Sequence, residues 1–182
     1  MVFATAVSPD GRIQARISES GEVELSFGPG VYRRYEESAL SHQLERLGQL
    51  SWIAYDRART EELRVALGRT VEEFAEDLRR PKDKQRQRYD ADLAAIEAEG
   101  VSPSGWLRIK ARGVLRWRVE IERGALRALT EHEFLAELET ALRTLLAGRE
   151  TQITLIKARH YDLGIPRAWR DLANDPGRNT AQ

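Results

Sequence analysis

Two stretches near the start of the chain alternate apolar and polar residues with a period of two. Ile13, Ala15 and Ile17 interleave with Arg12, Gln14 and Arg16, and Val23, Leu25 and Phe27 interleave with Glu22, Glu24 and Ser26. Successive side chains of a strand point to opposite faces, so each stretch predicts a strand with one dry side. Glu19-Ser20-Gly21 turns the chain between them, and Gly28-Pro29-Gly30 stops the sheet. Ala4 to Val7 predicts a short additional strand, leading into the turn Ser8-Pro9-Asp10-Gly11. Beyond the sheet, Leu40, Leu44, Leu47, Ala54 and Ala58 recur at helical spacing and predict a long amphipathic helix from Glu36 to Leu67. Its apolar stripe can cover the inner face of the hairpin, since neither element buries its apolar side alone.

The same plan returns later. Leu107, Ile109 and Ala111 alternate with Arg108, Lys110 and Arg112, Gly113 marks a turn, and Leu115, Trp117, Val119 and Ile121 form the next inner face. Thr130 is placed to cap a helix whose first turn carries Glu131 and Glu133, where the macrodipole favours acids. Phe134, Leu138, Leu142 and Leu145 continue as its apolar stripe. Gly148 costs about 1 kcal/mol relative to alanine in a helix and predicts a bend or frayed turn. The helical pattern resumes through Ile153, Ile156 and Lys157 and is expected to stop near Gly164-Ile165-Pro166.

A shift of about 94 residues lays the first stretch on the second without a gap, carrying Val7-Ser8-Pro9-Asp10-Gly11 onto Val101-Ser102-Pro103-Ser104-Gly105. Gly30 falls on Gly124, Glu37 on Glu131, Leu40 on Phe134, Leu44 on Leu138 and Glu45 on Glu139. Apolar positions map onto apolar ones and turn residues onto turn residues, as duplication of a structural unit predicts. The expected fold is α+β: two repeats of an antiparallel β-hairpin followed by a long amphipathic helix, packed as an internal pseudo-dimer. The units span 1–68 and 101–165, with a charged helical linker over 69–100 and a C-terminal tail over 166–182.

The linker reads as helical from Thr70 to Glu99, with charges in blocks: Glu72, Glu73, Glu76 and Asp77, then Arg79 to Arg88, then Asp90 and Asp92. Pro81 predicts a break within it. In the tail, Trp169 is placed to dock on the body, and Asn174-Asp175-Pro176-Gly177 predicts disorder.

Composition narrows the functions open to such a chain. No apolar run approaches the length of a membrane span, and no signal peptide is visible, so a cytoplasmic protein without a membrane partner is expected. Cysteine is absent, which excludes disulfides and thiolate chemistry. His42, His132 and His160 are scattered, away from any metal-ligand spacing, and read as exposed helix residues. No phosphate loop or catalytic constellation appears, so no enzyme, cofactor or metal is expected. The 29 basic residues balance 29 acidic ones, so binding to a polyanion needs a local basic face.

The second hairpin offers one. Arg108, Lys110 and Arg112 on one strand, with Arg116 and Arg118 on the next, are expected to project from one face with no acid between them. Like charges opposite one another on paired strands are destabilising, so such a stack calls for an anionic partner. The alternatives are that this face rests against the acidic block at Glu72, Glu73, Glu76 and Asp77, or is simply solvated. The equivalent face of the first hairpin sets Arg12, Gln14 and Arg16 against Glu22 and Glu24 and is nearly neutral.

The order of a Gly-led strand (Gly11-Arg12-Ile13), a Gly-Glu-Val strand (Gly21-Glu22-Val23), a Gly/Pro break and a long helix resembles the YbaB/EbfC family of small bacterial nucleoid-associated proteins. The likeness covers residues 4–67 and, more loosely, 101–160. It implies a three-stranded sheet flanked by helices, dimerisation through that sheet, and binding of double-stranded DNA with little sequence preference, here at the Arg108 to Arg118 face. Family members are single units with a helix before the sheet; the first copy here has none, so the chain resembles a fused pseudo-dimer. Relatives of this fold associated with type VII secretion imply a protein partner instead. The expectation is therefore a non-enzymatic nucleoid DNA-binding protein, or an interaction adapter or chaperone, acting as a monomeric pseudo-dimer or a homodimer.

Overall fold

The computed structural model describes residues 2–113 and 115–161. Strands β1 (Val2–Val7), β2 (Ile13–Ser18) and β3 (Val23–Phe27) form an antiparallel sheet in that order. A 3-10 turn at Tyr32–Arg34 leads into helix α1 (Glu37–Ala66). Helices α2 (Val71–Arg79) and α3 (Lys84–Ala95) follow, separated around Pro81 as that residue's missing N–H requires. Strands β4 (Glu97–Val101), β5 (Leu107–Arg112) and β6 (Arg116–Ile121) make a second antiparallel sheet, followed by a short helix α4 (Ala125–Ala128) and the long α5 (Glu131–His160).

The first turn of each sheet is closed by the same bonds. Ser8 donates its N–H to the Ile13 carbonyl at 2.8 Å and its hydroxyl accepts from the Ile13 N–H at 2.9 Å; Ser102 does both with Leu107, at 2.9 and 3.1 Å. Gly11 and Gly105 complete these turns at φ of 73° and 78°, a region that residues with a Cβ rarely adopt. A buried serine is thus satisfied locally in each turn.

One core joins the two sheets. Ile13, Ala15 and Leu25 from the first and Leu107, Ile109 and Val119 from the second are buried with Leu40, Leu44 and Leu47 of α1 and Phe134, Leu138 and Leu145 of α5. Helix α1 lies on β1 and also on β6 of the other sheet, where Glu45 accepts from the Val119 N–H at 3.1 Å and Gln49 donates to the Leu115 carbonyl at 2.8 Å. Gly48 makes that approach possible, because a Cβ there would stand 2.9 Å from Cδ2 of Trp117. At the start of α1, Glu37 accepts from the Gly124 N–H at 2.9 Å. Backbone N–H groups, its own and that of Gly124, hold this carboxyl below the usual carboxylate range. A smaller cluster of Tyr89, Ile96 and Ile156 fastens α3 to the far end of α5.

Thr130 caps α5 as its position predicts: its hydroxyl accepts from the Glu133 N–H, and the Glu133 carboxylate accepts from the Thr130 N–H. Replacing Thr130 with Ala is expected to cost about 1 kcal/mol, read as a lowered urea midpoint with an unchanged slope.

Several expectations need correction. Both sheets are three-stranded, where the sequence marks only a hairpin in the second. The added strand is β4, which begins inside the stretch read as helix to Glu99 and runs on to Val101. Its inward residues are Ala98 and Gly100, too small to register as an apolar face. Gly148 does not interrupt α5, which runs unbroken to His160 and ends there, short of Gly164-Ile165-Pro166. Leu115 is half exposed at the β5–β6 turn and does not share the inner face. The expectations for Trp169 and the tail lie outside the described residues.

Candidate nucleic-acid interface

Because Leu107, Ile109 and Ala111 face the core, the alternation of β5 sends Arg108, Lys110 and Arg112 outward, and all three are exposed. On β6, Val119 is buried between exposed Arg118 and Glu120, and Arg116 is exposed as well. The structure therefore brings the five expected cations onto one sheet face.

That face also carries acids, which corrects the expectation of a stack without them. Glu97 and Glu99 of β4 and Glu120 of β6 are exposed on it. Arg112 Nε lies 3.3 Å from Glu97, Arg108 Nη1 lies 2.5 Å from Glu99, and Lys110 Nζ lies 3.6 Å from Glu120. Arg108 Nε is also 3.9 Å from Glu120. Exposed pairs of this kind contribute about 0–1 kcal/mol each, so they tie the cations down weakly. Glu97 and Glu99 were hidden by the helical reading of that segment, although Glu97-Ala98-Glu99-Gly100-Val101 alternates as a strand should. Glu120 could have been found from the alternation of β6 itself. The acidic block on α2 is engaged near its own helix: Glu73 closes the capping box with Thr70, and Asp77 pairs with Arg69 and Arg80.

Two features of the basic character survive. Lys110 stands directly opposite Arg118, and Arg112 directly opposite Arg116, giving two adjacent like-charge pairs across β5 and β6. The corresponding face of the first sheet has Arg16 opposite Glu24 and Gln14 opposite Ser26, an arrangement that needs no external partner. The charge difference between the two sheets is therefore present in three dimensions, though smaller than the sequence suggests.

His42 and His132 are exposed, as expected, whereas His160 is not. Its Nε2 lies 2.7 Å from Asp92 Oδ2, and its ring meets Tyr89 edge-on at 5.7 Å, so it serves the α3–α5 contact. Among the described residues no group of three or more His, Asp or Glu side chains is arranged to hold a metal ion, and no helix is long and apolar enough to cross a membrane. No family model matches the chain, nor does any curated protein or solved structure.

Proposed function

We propose that this protein is a non-enzymatic, nucleoid-associated DNA-binding protein with little sequence preference, and that the exposed face of β4-β5-β6 receives the phosphate backbone. The observation that carries this reading is the two pairs of opposed cations, Lys110 with Arg118 and Arg112 with Arg116. Each opposition costs stability in isolation and is relieved by an anion placed between the two side chains. A row of phosphates supplies anions at regular spacing, and contacts to phosphate position a protein without reading bases. The resemblance to the YbaB/EbfC family points to the same activity.

The duplication belongs to this reading. Strands β2 and β5, and helices α1 and α5, occupy corresponding places at the shift seen in the sequence, and the two serine turns share their bonds. We read the chain as two copies of one unit packed as an internal pseudo-dimer, with the second copy specialised for the anion.

The test is a titration of short double-stranded DNA at two salt concentrations. The double variant Arg116→Ala, Arg118→Ala is expected to weaken binding to unrelated sequences alike and to flatten the logarithmic salt slope by about two, roughly one for each phosphate no longer neutralised. Absence of binding at low salt, or binding indifferent to the two changes, rejects this placement.

A second reading, an interaction adapter or chaperone on the same scaffold, including a type VII secretion-associated one, is favoured by a different surface. Leu63, Val65 and Leu67 at the end of α1, with Val71 and Leu78 of α2, are all more than half exposed. Apolar side chains gathered on one stretch suit a protein partner, whose affinity would respond little to salt.

A further inference from the structure

Behind the basic face, the inner sides of β2, β3, β5 and β6 line an open cavity of about 300 Å³ together with α1 and α5. Its wall is mostly apolar and includes Leu25, Leu44, Trp117, Leu138 and Leu142. One charged side chain is set into that wall out of water. Arg149 of α5 is only 7% exposed, and its Nη1 is buried with no hydrogen-bond partner among the described residues. Its Cζ lies 4.6 Å from the centre of the Trp52 ring. Such stacking favours the cation, but the N–H groups of a guanidinium lie in its plane and need acceptors at its edge. Burial lowers the pKa of Arg149; a guanidinium nevertheless stays protonated at neutral pH. A charge withdrawn from water without a partner is costly, and an apolar residue of similar volume is commonly more stable in such a place.

We propose that this cavity binds a small amphipathic carboxylate, of the medium-chain fatty acid type, whose carboxylate accepts from Arg149 and whose chain lies against Leu25, Leu138, Leu142 and Trp117. The volume is at the lower end of ligand pockets, which suits a short chain and excludes a phospholipid. A single buried guanidinium in an apolar wall matches one negative charge, whereas a phosphate dianion needs several donors. Glu150 also lines the cavity but is exposed, so water and salt screen its charge from the bound carboxylate. The site is distinct from the DNA reading: it lies against the inner face of the sheet whose outer face carries the five cations, and uses none of them.

The full chain is titrated with decanoate below its micellar range, followed by calorimetry and by the fluorescence of the tryptophans, with decanol and decyltrimethylammonium in parallel. Decanoate is expected to bind at one site per chain, and decanol, lacking the charge, about tenfold or more weakly, the ratio that one charge-assisted hydrogen bond supplies. The cationic analogue is expected not to bind. Arg149→Met is expected to abolish the preference for decanoate over decanol while raising Tm in the absence of ligand. Arg149→Lys, which keeps the charge and loses the planar fork, should retain part of the preference. Equal affinity for decanoate and decanol in the parent chain, no binding of decanoate, or an undiminished preference in Arg149→Met each overturns the proposal. The comparison within the parent chain decides the matter even where a variant fails to fold.

Discussion

Gly100→Val is expected to destabilise the protein by about 3 kcal/mol, the upper end of the usual cost of overpacking. Gly100 sits at an inward position of β4 with α5 laid across it. A Cβ at this position would run into the carbonyl oxygen of Ala141 and stand 3.0 Å from the Leu145 nitrogen. Both obstacles are helix backbone, so no rotamer change relieves the clash; the helix itself must lift from the sheet. The counterpart strand carries Ala6 at the matching position, so the first sheet accommodates a methyl group where the second does not. The measurement is urea denaturation, with Gly100→Ala expected to shift the midpoint in the same direction by less. Gly148→Ala serves as the contrast: its Cβ would meet open space in the middle of α5, so a gain of up to about 1 kcal/mol is expected. A Gly100→Val protein as stable as its parent would show that α5 does not rest on β4 at this distance.

Phe134→Ala is expected to cost about 3–5 kcal/mol, the range for deleting a fully buried aromatic ring. The side chain is inaccessible to solvent, and its ring centre lies 5.3 Å from that of Tyr32 and 6.1 Å from that of Phe27. Those partners belong to β3 and the turn after it, so the first turn of α5 is anchored in the other half of the chain. Tyr32 returns the contact by donating its hydroxyl to the Leu129 carbonyl at 3.2 Å. Because the two sheets share this cluster, the loss is expected to register in both halves. Denaturation followed at Trp52, in the first half, and at Trp117, in the second, should give coincident transitions in the variant as in the parent. Two separated transitions would mean that each half keeps its own core and that Phe134 is not the joint described here.

The legible parts of the fold are those where side-chain size and period coincide. Ile13, Ala15 and Ile17 announce β2 because large residues alternate with polar ones, and Leu40, Leu44 and Leu47 announce α1 by the same logic at helical spacing. Thr130 and Glu133 mark the start of α5 because capping is local chemistry, complete within four residues. Strand β4 escaped because its inward side is Ala98 and Gly100: the closeness of α5 replaces side-chain bulk there, and closeness leaves no trace in a hydropathy pattern. The continuity of α5 through Gly148 has a related cause, since packing of its flanking residues outweighs the modest cost of one glycine. The same concealment distorted the basic face, where missing β4 meant missing Glu97 and Glu99.

Residue order alone was enough to say which side chains of β2, β3 and β5 point inward and where the turns between them fall. It was also enough to put Arg108, Lys110, Arg112, Arg116 and Arg118 on one face. Each of these follows from interactions between residues close along the chain, or from the fixed periods of strand and helix. What those residues meet was settled by packing in three dimensions. Packing set Glu97, Glu99 and Glu120 among the cations and put Lys110 and Arg112 opposite Arg118 and Arg116. It also laid α1 on the strand of the other sheet and buried Arg149 against Trp52 beside an apolar cavity. Arg149 shows the reason most plainly: on a helix it reads as one more charged surface residue, and only the approach of elements distant in sequence removes the water that would have made it so.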